Sequence, residues 1–139
     1  MKKIAVSACL LGVNCRYDGG NCLNLKVKTY LLNKEYLLLC PEELGGLGTP
    51  RLPAELTADK ILNSQGQDVS LNFIQGANKA LDLALAAGCE LAILKSESPS
   101  CGNKYIYDGS FSGRLIKGQG ITAKLFESFG IKVINEEDL

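Results

Sequence analysis

The segment SLNFIQGANKALDLALAAGCELAIL, residues 70–94, changes from helical to strand periodicity with almost no connecting loop. Between about residues 70 and 87, Leu71, Ile74, Leu81 and Leu85 fall on one face at the spacing of an amphipathic helix. Ser70 is placed as its N-cap and Gly88 as the C′ residue that ends it. Leu91-Ala92-Ile93-Leu94 follows as an apolar run of strand length. A helix that feeds straight into a buried strand is half of a crossover unit, and parallel strands require such crossovers.

The same alternation extends outward in both directions. Upstream lie strand-like runs at 3–6 and 35–39, with a moderately helical stretch at 23–32 between them. Downstream come a helix over 120–129, stopped by Gly130, and a last strand over 131–134. The pattern predicts one domain over residues 1–139, a three-layer α/β fold with a mostly parallel, Rossmann- or flavodoxin-like sheet. Arg16-Tyr17-Asp18-Gly19-Gly20 reads as turn chemistry. A long loop is expected after Cys40, punctuated by Gly45, Gly46, Gly48, Pro50 and Pro53. Loops of that length inside small domains are usually functional. A turn-rich segment is expected from Lys95 through Tyr107-Asp108-Gly109.

The 46% hydrophobic and 22% charged content of this 139-residue chain excludes a disordered tail. No apolar run reaches membrane-spanning length. The opening from Met1 to Ser7 is briefly signal-like, but it meets Gly12 and Asn14-Cys15-Arg16 too early and reads as a first strand. A cytoplasmic protein with no membrane association is therefore expected. The formal net charge is zero, so no global field favours a phosphate backbone, and nucleic acid is not expected as a partner. Six cysteines in a reducing compartment point to metal binding or catalysis rather than disulfides. The chain has no histidine, which removes every imidazole base and ligand and leaves Glu, Asp, Lys, Tyr and Cys for proton transfer.

Cys9, Cys40 and Cys101 each lie just past an apolar, strand-like run. In a parallel sheet those positions share the carboxyl edge, where such folds bind ligands. A single free cysteine is as readily a space-filling core residue; three in equivalent places favour a function. Thiol-only ligation selects zinc, copper(I) or an iron–sulfur cluster. Three thiols with an open position suit a [4Fe–4S] cluster whose fourth iron acts as a Lewis acid. Cys89 reads as a core or junction residue, and Cys15 and Cys22 as bystanders or a fourth ligand. Glu42, after Cys40-Pro41, is the candidate proton-transfer group, with Glu43 competing for that role. Ser98 and Ser100 bring hydroxyls beside Cys101. Ser7, Asp18, Lys95 and Ser100 are the candidate substrate contacts, although Asp18 is most simply part of a turn.

Taken together, Ser7-Ala8-Cys9-Leu10-Leu11-Gly12, Cys15-Arg16-Tyr17-Asp18-Gly19, Cys40-Pro41-Glu42, Gly46-Leu47-Gly48-Thr49-Pro50-Arg51 and Ser98-Pro99-Ser100-Cys101-Gly102 resemble one family. So do Ile106-Tyr107-Asp108-Gly109-Ser110-Phe111 and Gly118-Gln119-Gly120-Ile121-Thr122-Ala123. It is a family of small bacterial proteins once catalogued as a domain of unknown function, whose characterised members are thiouracil desulfurases. The resemblance implies that C=S is replaced by C=O with release of hydrosulfide, without redox change, at a [4Fe–4S] cluster. It implies Cys9, Cys40 and Cys101 as cluster ligands and Glu42 and Ser98 as catalytic side chains. The implied partners are a small thiolated base or nucleoside and the iron–sulfur assembly machinery. Two other classes remain open at this point: a structural zinc-binding interaction module and a cluster-free, cysteine-based sulfur carrier.

Overall fold

The computed structural model describes residues 3–139; Met1 and Lys2, where the signal-like opening begins, lie outside the described residues. The strands are β1 (Ile4–Ser7), β2 (Tyr36–Leu39), β3 (Ala54–Leu56), β4 (Ile61–Asn63), β5 (Leu91–Leu94), β6 (Tyr105–Tyr107), β7 (Leu115–Lys117) and β8 (Lys132–Asn135). The helices are α1 (Leu25–Tyr30), α2 (Pro41–Leu44), α3 (Ser70–Ala86) and α4 (Ile121–Ser128), with 3-10 turns at Ala8–Leu11 and Glu136–Asp138.

Four strands form the central sheet in the order β2-β1-β5-β8, every pair parallel. Side chains alternate across it, as the two-residue period of a strand requires. Ala5, Leu39, Ala92, Leu94 and Val133 pack with Ala80, Ala84, Ala123 and Phe126 of α3 and α4. Val6 and Ile93 pack on the opposite face with Val27 and Leu31 from α1 and its end. The result is three layers, and burial on both faces explains the unbroken apolar runs. Full burial of Phe73 and Phe126 contributes roughly 1.5–3 kcal/mol each.

The chain steps from β1 outward to β2, then crosses back past β1 to β5 and on to β8. The order reverses between β1 and β5, and crevices at such reversals lie beyond the carboxyl ends of the strands. Ser7, Leu39 and Leu94, the last residues of β1, β2 and β5, border that edge.

α3 occupies the expected span, and Gly88 follows its end in the left-handed conformation, at φ +73°. Its buried face differs from the expected one. Leu71, Ile74 and Leu85 are exposed, Leu71 at 65%, and of the four expected positions Leu81 alone is buried. Phe73, Gly76, Ala77, Ala80 and Ala84 pack inward instead. Small residues give a weak hydrophobic signal, yet they let the helix approach its neighbours closely. A Cβ on Gly76 would lie 1.9 Å from the Pro41 carbonyl oxygen, and one on Gly45 would lie 1.9 Å from that of Asn72. α2 therefore rests on α3 backbone to backbone. Val69, not Ser70, takes the cap position; Ser70 Oγ accepts a hydrogen bond from the Ile61 N–H at 2.8 Å.

The expected loop after Cys40 contains α2 and the antiparallel hairpin β3–β4, and the turn-rich segment after Cys101 contains a second hairpin, β6–β7. Their strands have three residues each, too few for an alternation to be read, and every β7 side chain is exposed. α1 is shorter than its expected range because the Asn24 side chain caps it, accepting the Val27 N–H at 3.1 Å. Among the described residues no helix is long and apolar enough to cross a membrane.

Candidate active site

A cavity of about 560 Å³ opens at the carboxyl edge of the sheet. Cys9 enters it from the 3-10 turn after β1, Cys40 from the junction of β2 and α2, and Cys101 from the loop after β5. Cys15 and Cys22 also line it, whereas Cys89 sits in the core between α3 and β5. Three thiols distant in sequence thus meet because three parallel strands end side by side.

The Cys15 thiol lies close enough to those of Cys40 and Cys9 for each to influence its ionisation. The Cys40 thiol donates to the Cys15 carbonyl oxygen at 3.7 Å. The Cys15 thiol and burial push Cys40 far above the ordinary thiol range. Cys15 is pulled down by the Cys40 thiol, but the Cys9 thiol and burial raise it on balance to about 12. Burial first, then the nearby Glu42 and Cys40 charges, push Cys101 up to about 12 against opposing hydrogen bonds from Ser7 and Ser100. Crowded thiols of this kind resist ionisation until a soft cation discharges them. Among the described residues no three Cys, Asp or Glu side chains close tightly around one point, as a single ion would demand. The candidate ligands Cys9, Cys40 and Cys101 are all thiols lining one cavity, a donor chemistry that suits an iron–sulfur cluster.

Glu42 sits in the first turn of α2, oriented by Pro41 at the helix start. Arg51 Nε and Nη2 donate to its Oε2 at 3.2 and 2.9 Å. Arg51 Nη2 also donates to the Cys15 carbonyl at 2.8 Å, tying the carboxylate to the thiol-bearing loop. The Ser98 hydroxyl approaches the other oxygen, Oε1, at 3.5 Å. Ser98 Oγ in turn accepts the N–H groups of Ser100 and Cys101, both at 3.1 Å. Its acceptor capacity is used by the Cys101 loop, so its proton is directed at Glu42. Glu43 turns aside to accept the Thr49 hydroxyl.

Of the candidate substrate contacts, Ser7 and Lys95 line the cavity. Ser7 Oγ accepts the Lys95 N–H at 2.9 Å, bridging the ends of β1 and β5. Lys95 Nζ lies 3.2 Å from Glu136 Oε2. Burial alone would lower Lys95; the Glu136 carboxylate reverses this and holds it above its ordinary value. Two candidates are placed elsewhere. Asp18 lies outside the cavity lining and accepts the Gly20 N–H at 2.9 Å within its turn. Ser100 is fully buried with its hydroxyl 2.7 Å from that of Thr122, and it anchors the start of α4. A hydroxyl next to a cysteine in sequence can point to the opposite side of a tight loop.

Sequence reasoning missed Arg51, Glu55 and the aromatic side chains Tyr17, Tyr107 and Phe111 that line the cavity. Arg51, Tyr17, Tyr107 and Phe111 lay within motifs that carried the family resemblance but were given no role at the site; Glu55 carried no signal, because the hairpin that presents it was not visible.

The model of the 2-thiouracil desulfurase family matches residues 4–138. An uncharacterized protein of Bacillus subtilis, YbbK, is 41% identical, with 98% of this chain and 97% of the relative aligned. The solved structure of TudS, a [4Fe–4S]-dependent thiouracil desulfidase, superposes with a TM-score of 0.93 at 42% identity, covering all of this chain and 93% of that one.

Proposed function

The chain belongs to the 2-thiouracil desulfurase family, and on that premise we propose that it hydrolyses the C=S bond of a thiolated pyrimidine to C=O, releasing hydrosulfide. In this reading Cys9, Cys40 and Cys101 hold a [4Fe–4S] cluster. When bound, the cluster supplies a soft, open-coordinate iron as a Lewis acid for the thiocarbonyl sulfur. The remaining work falls to side chains. Arg51 occupies Glu42 Oε2 and sets the carboxylate's direction, leaving Oε1 to take a proton from the attacking water. Ser98, its hydroxyl aimed at Oε1, relays or orders that proton. Water supplies the oxygen and its protons leave with the sulfur, so the balance needs no electron donor and no histidine.

The observation that carries the reading is one cavity lined by all three strand-end thiols together with Glu42 and Ser98. The [4Fe–4S] dependence of the 42%-identical solved relative favours a cluster over a structural zinc. The substrate is a free base or nucleoside, and iron–sulfur assembly proteins install the cluster. The test is anaerobic reconstitution followed by hydrosulfide assay with thiolated bases. About four irons and four sulfides per chain are expected, with loss of iron in Cys9→Ser, Cys40→Ser and Cys101→Ser but retention in Cys89→Ser. Stoichiometric zinc without iron rejects the enzyme, and sulfur transfer by iron-free protein favours the carrier.

A further inference from the structure

Glu55 lies in the middle of β3 and is 9% exposed, the most buried carboxylate that lines the cavity. Its Oε1 accepts two backbone N–H groups from the tip of the β6–β7 hairpin, Gly109 at 3.0 Å and Phe111 at 3.1 Å. Among the described residues no Lys or Arg forms an ion pair with it. A carboxylate taken from water without a cation is costly unless all its acceptor sites are used. Here one oxygen is fully engaged and the other has no protein donor. No buried polar side-chain atom among the described residues lacks a partner, so Oε2 is not sealed in the core, and Glu55 is among the residues that line the cavity.

The surroundings fit a flat heterocycle. Tyr107 and Phe111 line the same cavity. Phe111 adopts φ +58°, an unfavourable conformation for a bulky residue, and its own N–H on Glu55 holds it there. A Cβ on Gly109, at φ +95°, would lie 3.1 Å from the Leu56 carbonyl oxygen, so the tip is seated on β3 beside Glu55. Glu42 differs, because Arg51 pairs with its Oε2 and the Ser98 hydroxyl approaches its Oε1.

We propose that Glu55 is a substrate-recognition residue: its second oxygen, Oε2, accepts the ring N–H beside the thiocarbonyl of the pyrimidine. The assignment rests on the desulfurase reading for the identity of the ring. A carboxylate is an acceptor only, and its bond to an N–H is of the charge-assisted, stronger kind. Glu55 thereby fixes the ring's orientation, and the backbone bonds to Oε1 fix Glu55.

The test titrates uracil and 3-methyluracil, unreactive rings that differ in that N–H, into cluster-loaded wild-type and Glu55→Gln protein. The wild type should prefer uracil by about 10–100-fold, the span of a hydrogen bond to a charged group. Glu55→Gln keeps an acceptor for the hairpin tip but presents a donor to the ring, so the two rings should bind nearly equally with unchanged circular dichroism. Glu55→Asp keeps the charge and should retain a measurable preference, which decides the matter if the Gln variant does not fold. Equal binding of both rings by the wild type, no binding of either, or an unchanged preference in Glu55→Gln overturns the assignment. Hydrosulfide release from 4-thiouracil on the same samples tests the reaction separately. Release without a Glu55 effect keeps the enzyme and removes this role; a Glu55-dependent preference without release does the reverse.

Discussion

Glu42 and Glu43 are neighbours in sequence with opposite fates in space. One is fixed by Arg51 at the cavity, and the other bonds the Thr49 hydroxyl outside it. Side-chain chemistry alone does not separate them; the Cys40-Pro41-Glu42 motif put Glu42 first, and the direction of the first turn of α2 supplies the physical reason. Glu42→Gln should keep the cluster's iron content and absorbance while kcat falls by ~10²–10⁴, the usual contribution of a positioned proton-transfer group. Glu43→Gln should stay near wild type, so equal losses in the two variants would deny Glu42 its role. At this scale the three strand-end cysteines were legible because each follows an apolar run. Ser100 was misleading, since hydroxyl orientation in a tight loop is set by α4 packing against it.

At the scale of elements, the contact between α2 and α3 carries the site. Gly76 lies in the interior of a 17-residue helix, where propensity alone favours alanine by about 1 kcal/mol. The backbone contact at Pro41 reverses the sign: an added methyl meets a carbonyl oxygen that has no side-chain freedom to move. Gly76→Ala should therefore destabilise the protein by about 1–3 kcal/mol, as overpacking does, measured by urea unfolding. It should also impair cluster retention, because α2 carries Glu42 and adjoins Cys40. A stabilised variant would show that the crossing yields easily. The long elements were readable as periodic runs of adequate length. The two hairpins were not, since strands of three residues are too short to establish a period in the sequence.

For the molecule as a whole, the chain's end is secured to the sheet's functional edge. Glu136, in the turn after β8, accepts the Ser96 N–H at 2.8 Å and the Ser96 hydroxyl at 2.9 Å, and pairs with Lys95. Burial would raise its pKa, but the backbone N–H bonds and Lys95 outweigh this and hold it below the usual carboxylate range. A depressed folded-state pKa stabilises above the unfolded value, about 4.3, and that stability is lost as pH falls through the folded value. Glu136→Gln should therefore destabilise at pH 7 by about 1–3 kcal/mol, with the gap to wild type closing as pH drops below about 4, followed by thermal unfolding across a pH series. A constant gap would assign the effect to packing. The α/β class, the parallel sheet and the three thiols at its carboxyl edge were determined by the sequence alone, because periodicity and strand ends are local properties of the chain. The buried face of α3, the Arg51 clamp on Glu42 and the arrival of Glu55 at the cavity were decided by tertiary structure. Each depends on how closely two backbones approach or which way a side chain turns, and those are set by contacts between segments remote in sequence.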